Sequence, residues 1–126
     1  MIGYVTVGTN DLPRAVAFYD KLFAIIGAGR FMEEDGFVAW AASANSSGFA
    51  VTRPFDGNPA TVGNGMMVAL VVDSKERVHE MYDKAIELGA TDEGPPGPRG
   101  DNFYAGYFRD LEGNKLNVFW ADMGAE

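Results

Sequence analysis

The side chains able to do chemistry in this chain are few, and their types narrow the field. Cysteine is absent and histidine occurs once, at His79. Cysteine nucleophiles and thiolate metal sites are therefore excluded. His79 stands one position past Val78 in a stretch with helical spacing, which places its ring on a helix flank at the surface. With no other imidazole, neither a His general base nor a Ser-His or Cys-His pair can be assembled at a strand-built site. What remains is tyrosine hydroxyls, side-chain amides and arginines. A tyrosine with its ordinary pKa of about 10 is a poor base at neutral pH and acts as a hydrogen-bond donor toward a developing oxyanion. Arg53 and Arg99, at strand or loop edges, can close over an anionic group or solvate a rim.

The elements that must position these groups come in two copies. One register shift places Val5, Arg14, Tyr19, Asp20 and Lys21 on Val68, Arg77, Tyr82, Asp83 and Lys84, with Tyr4 falling on Met67 and Asn10 on Asp73. Identities at a single offset indicate two copies of one supersecondary unit. Module one opens with a strand over Ile2 to Gly8. The stripe Ala15, Phe18, Tyr19, Leu22, Ile25 and Ile26 then predicts a helix, capped by Asn10 or Asp11, admitting Pro13 in its first turn and stopping at Gly27. Module two repeats the plan with Val78, Met81, Tyr82, Ala85 and Leu88, an Asp73 cap with Glu76 three residues on, and a stop at Gly89-Ala90. Each helix is followed by segments of period two, over residues 31–33, 37–41 and 49–53, then 103–109 and 116–120. Residues 94–100 (GPPGPRG) are expected to form a proline-set loop.

The expectation is an α+β fold. Tandem βαβββ modules, about 1–53 and 65–121 with a linker at 54–64, make a single domain whose curved mixed sheet of about eight strands carries its helices on the convex side and holds a small molecule in its concavity. At 126 residues the chain can bury a core without disulfides or structural metal. Ten Lys and Arg against eighteen Asp and Glu give a net charge of −8, which repels a phosphate backbone and argues against nucleic acid as partner. No apolar run reaches the roughly 18 residues of a membrane span and no signal sequence opens the chain, so a cytoplasmic location is expected.

The strand Met1 to Gly8, the segment NDLPRAVAFY from Asn10, the strand GMMVALV from Gly65 and above all YFRDLEGNKLNVFW, from Tyr107 to Trp120, resemble the vicinal oxygen chelate superfamily. That group includes glyoxalase I, fosfomycin-resistance enzymes, bleomycin-resistance proteins and extradiol dioxygenases. The resemblance covers nearly the whole chain and implies the same duplicated fold. Asp110 to Asn114 stands at the family's Asp-Pro-Asp-Gly-Asn turn, with Leu111 and Glu112 as replacements, and Gly113 and Asn114 are expected to supply positive φ. In metal-dependent members the ligands come from the first and last strands of the modules. Here the resemblance puts those positions on Tyr4, Met67 and Asn117, and residues 50–52 add no carboxylate or imidazole. Such neutral groups offset little of a divalent ion's desolvation, so no metal cofactor is expected, with a divalent metal held by other ligands as the alternative.

From those positions, strand alternation extends the candidate ligand-binding set. Thr6 shares a face with Tyr4, Phe119 shares one with Asn117, the resemblance puts Tyr107 where fosfomycin-type members place a ligand-contacting tyrosine, and Trp40 joins them from the strand over residues 37–41. The candidates are thus Tyr4, Thr6, Trp40, Met67, Tyr107, Asn117 and Phe119. Three functions fit: a metal-independent small-molecule binder of the bleomycin-resistance kind, expected as a homodimer; a glyoxalase-like lyase or isomerase in which Tyr4 or Tyr107 donates a proton to a carbonyl oxygen, or in which other ligands hold a metal; and a non-catalytic scaffold.

Overall fold

The computed structural model describes residues 1–122 and resolves them into two compact units, Met1–Asn64 and a second from Gly65 onward. In the first unit, β1 (Tyr4–Gly8) leads into α1 (Leu12–Ala24), then β2 (Gly29–Glu34), β3 (Phe37–Ala41) and β4 (Gly48–Thr52). The second repeats the order with β5 (Val68–Val71), α2 (Lys75–Glu87), β6 (Thr91–Pro98), β7 (Phe103–Arg109) and β8 (Lys115–Ala121). The shift that carries Val5 to Val68 carries both ends of α1 onto both ends of α2. The eight strands expected from the sequence hydrogen-bond as two four-stranded mixed sheets, β1-β4-β3-β2 and β5-β8-β7-β6, so each unit is a βαβββ module. In each, the first strand runs parallel to the last and the other pairs are antiparallel.

The helix ends follow local chemistry. Asp11 caps α1 by accepting from the Arg14 N–H at 3.2 Å. The cap of α2 is Ser74, not Asp73, its hydroxyl accepting from the Arg77 N–H at 3.1 Å; Asp73 stands one residue too early and pairs with the Arg77 side chain. Both helices stop alike. Ala28 N–H donates to Phe23 O at 3.0 Å and Ala90 N–H to Ala85 O at 2.9 Å, across Gly27 and Gly89 with φ of 70° and 108°.

In the first unit Ala15, Phe18, Tyr19, Leu22 and Phe23 of α1 bury against the Val38, Trp40, Phe49 and Val51 side of the sheet. Phe23 takes the place expected for Ile25 and Ile26, because α1 ends at Ala24 and those two sit half-exposed in the turn beyond it. In the second unit Val78, Met81 and Ala85 bury against the side carrying Phe108, Leu116 and Val118. Each large apolar side chain so buried is worth about 1.5–3 kcal/mol, which is what holds helix to sheet.

Residues 94–98 differ from expectation. They belong to strand β6, not a loop, with irregular register between Asp92 and Gly94 and between Gly94 and Gly97. An edge strand tolerates prolines because the missing N–H need not face a neighbour, and β6 is the edge of its sheet. No helix among the described residues is long and apolar enough to cross a membrane.

Candidate functional site

Alternation along β8 decides what each side of the second sheet presents. Leu116, Val118 and Trp120 share the α2 side with Phe108 and Tyr104, where the Tyr82 ring meets Phe108 at 6.5 Å between centroids. Lys115, Asn117 and Phe119 therefore occupy the side turned away from α2. Asn117 is opposed by Tyr107 on β7 and by Ala69 on β5, so it sits in the middle of that face. Phe119 stacks on Phe103 with centroids 5.0 Å apart and planes 18° from parallel.

Asn117 is 2% exposed, and its side-chain oxygen is the one buried side-chain polar atom among the described residues without a hydrogen-bond partner. An unpaired buried acceptor costs about 1–3 kcal/mol, and native proteins rarely leave one without a purpose. Tyr107 is half-buried beside it. The Arg99 guanidinium carbon lies 5.4 Å and the Lys115 ammonium 5.8 Å from the Tyr107 ring centroid. Two glycines make room for Arg99: a Cβ at Gly94 would come within 3.3 Å of Nη2, and one at Gly97 within 3.2 Å of Nη1. The guanidinium is braced by donation to the carbonyls of Pro95 at 2.8 Å and Pro98 at 3.3 Å.

The turn entering β8 is built to hold this strand. Asp110, nearly buried, accepts from the N–H groups of Glu112 and Asn114, both at 2.9 Å, and from the Asn114 amide at 3.1 Å. Gly113 alone supplies the positive φ, at 100°. Asn114 has none; it serves through its side chain, which is the correction to the expectation for this turn.

The remaining candidates divide between the units. Met67, 43% exposed, immediately precedes β5 and has the parity of Ala69, on the Asn117 side. Tyr4 and Thr6 lie on the side of the first sheet away from α1, both exposed. Tyr4 meets Phe37 edge-on at 6.0 Å, and a Cβ on Gly48 would lie 2.9 Å from the Phe31 ring and 3.2 Å from Tyr4 Cβ. Trp40 is a correction. It lies on the opposite, α1 side, 1% exposed, packed on Tyr19 and Phe23, with its indole N–H donating to Asp20 at 2.9 Å. The pairing of Trp40 with Phe49 fixes that parity, so its ring builds the core. His79 is exposed on α2, with Nε2 2.6 Å from the Tyr104 hydroxyl. Sequence reasoning passed over Lys115 and Phe103. Lys115 was legible as the residue two before Asn117 on the same strand face.

The positions to which the resemblance points, Tyr4 in the first unit and Met67 and Asn117 in the second, carry a phenol, a thioether and an amide. None of these neutral groups suits a hard divalent cation, and among the described residues no three His, Cys, Asp or Glu side chains converge.

The model of the Glyoxalase/Bleomycin resistance protein/Dioxygenase superfamily matches residues 1–118, and the chain belongs to that superfamily. A glyoxalase/bleomycin resistance protein from Albidiferax ferrireducens T118 is similar at 33% identity over 97% of this chain and 99% of that one, with a TM-score of 0.89. The folds of a glyoxalase-related enzyme from Fulvimarina pelagi (18% identity, 99% and 93% covered, TM-score 0.76) and of a lactoylglutathione lyase from Agrobacterium tumefaciens (20%, 95% and 92%, TM-score 0.70) are also similar. No curated protein matches the sequence.

Proposed function

We propose that this member of the superfamily binds a small organic molecule on the Asn117 face of its second unit, and that it does so without a divalent metal. The observation that carries the reading is the buried, unpartnered side-chain oxygen of Asn117. A ligand hydroxyl or N–H donating to that oxygen removes the cost of its burial, so binding is favoured where packing alone leaves a deficit. Tyr107, directly across the ladder, supplies a second hydrogen-bonding group and an aromatic wall, and the Phe103–Phe119 stack supplies apolar surface. Within the second unit, the neutral groups at Met67 and Asn117 support binding through hydrogen bonds and apolar contact in place of chelation.

The test is a ligand-observed NMR screen of a small fragment library of mixed charge against chelator-treated protein, repeated on Asn117→Leu. Hits that bind the metal-free protein and are lost in the variant support the reading. Binding that appears only after Zn, Mn, Ni or Fe is added back, or that persists unchanged in Asn117→Leu, overturns it. Elemental mass spectrometry of the untagged protein tests the metal half separately, and stoichiometric metal that raises the melting temperature contradicts it.

A further inference from the structure

The charges around Tyr107 are positive and have no carboxylate partner among the described residues. In a chain with eighteen acidic residues against ten basic ones, Arg14, Arg30, Arg53, Arg77 and Arg109 each have a carboxylate within 3.9 Å. Arg99 is the arginine that has none among the described residues, and it is held in place by backbone carbonyls over a floor of two glycines. Lys115, also without a carboxylate there, approaches the same Tyr107 ring. Each cation lies near the Tyr107 ring, Arg99 from the β6 side and Lys115 from β8, and neither has a carboxylate partner, so an anion seated beside that ring meets positive charge that the described residues leave uncompensated.

The sequence of groups along the face adds a second constraint. Lys115, Asn117 and Phe119 follow each other on one side of β8, with about 7 Å from each to the next along an extended strand. A cationic end, a polar acceptor in the middle and an aromatic end are laid out in a line.

We infer that the ligand is an amphipathic oxyanion: a molecule with one carboxylate or phosphate group held by Arg99 and Lys115, a central hydroxyl or N–H that donates to the Asn117 oxygen, and an apolar body against Phe119. This rests on the small-molecule reading of the same face and narrows its substrate class. Tyr107 lies under the charged end, where its ring is already approached by both cations.

The probes that test it are phenyllactate, its neutral amide phenyllactamide, and 2-hydroxy-3-phenylpropyl phosphate, titrated calorimetrically. The proteins are the wild type, Lys115→Gln, the Arg99→Gln/Lys115→Gln pair, and Asn117→Leu. An oxyanion is expected to bind wild type at least about tenfold more tightly than the amide, an advantage that falls to about twofold or less in the paired variant. The tighter of carboxylate and phosphate then names the group. Arg99 also braces β6, so Lys115→Gln, which removes a charge without touching that backbone, is expected to lose part of the advantage alone. If acid and amide bind the wild type equally and both are lost in Asn117→Leu, the oxyanion inference falls while the binding face stands. If no probe binds, or if binding is indifferent to all the variants, both fall.

Discussion

Tyr107 and Asn117 stand directly opposite one another across the β7–β8 ladder, and of the two only Asn117 hides a hydrogen-bonding atom from both protein and solvent. The pair therefore separates ligand energetics from folding energetics. Asn117→Leu keeps the branched shape of the side chain and removes the unpaired acceptor, so it should raise stability by about 1 kcal/mol while ligand binding is lost. Urea unfolding of both proteins checks this. A loss of about 2 kcal/mol instead would mean that the amide satisfies the protein's own groups.

Tyr107→Phe should behave differently. No protein group among the described residues hydrogen-bonds the Tyr107 hydroxyl, so its removal should leave the unfolding free energy within about 0.5 kcal/mol of wild type. Binding of a ligand that uses the hydroxyl should weaken by about 1 kcal/mol, read by calorimetry. A stability loss with unchanged binding would assign the hydroxyl to the fold.

Trp40 gives the opposite contrast. Its ring is buried against Tyr19 and Phe23, and its N–H joins Arg30 in anchoring Asp20, whose carboxyl is held below its ordinary pKa first by the two donations from Arg30 and then by the indole. Trp40→Ala should cost about 3–5 kcal/mol, with Trp40→Phe much milder, and the milder variant should retain ligand affinity. Affinity falling with Trp40→Phe at unchanged stability would return the residue to the site.

The duplication made most of the fold legible. Identities such as Tyr19 with Tyr82 and Lys21 with Lys84 mark the same turns of two helices whose limits obey the same shift. On β8 the family resemblance supplied Asn117 and strand alternation added Phe119, and the structure puts both on the side opposite Leu116 and Val118. Strand parity failed at Trp40, because residues 37–41 (FVAWA) are apolar throughout, and only pairing with Phe49 shows which side faces α1. It failed again at Gly94 to Pro98, where proline and glycine signal a loop and the edge position of β6 lets them stay in a strand. The Arg99 seat was out of reach for the same reason, since its glycine floor exists only once that segment is paired with β7.

The β8 turn offers a test of the structural half of the motif. Asp110 gathers three N–H donors in a nearly buried setting, so Asp110→Ala would strand them at a cost of about 2 kcal/mol or more, whereas truncation of the exposed Asp101 to Ala should be close to neutral. Chemical unfolding of the two variants checks the contrast, and equal effects would mean that the carboxyl does not organise the turn.

The tie between α2 and β6 should make stability fall at both extremes of pH. The Tyr82 hydroxyl donates to Asp92 at 2.6 Å, and the same carboxyl oxygen accepts from the Gly94 N–H at 2.8 Å. Donation from Tyr82 and then from Gly94 holds the Asp92 carboxyl below its ordinary 3.8. Its contribution is therefore present above that value and is lost as pH falls below it. Desolvation first, then the bond to Asp92, pushes the Tyr82 phenol up to about 12. With the folded value above the unfolded one of about 10, that contribution is complete below pH 10 and is lost as pH rises toward 12. Tyr82→Phe removes the titrating proton, so melting curves of the variant should lose the alkaline decline that belongs to this group and start from a lower melting temperature at neutral pH. An alkaline decline identical to that of wild type would assign it to other groups and leave the Tyr82–Asp92 bond without a role in stability.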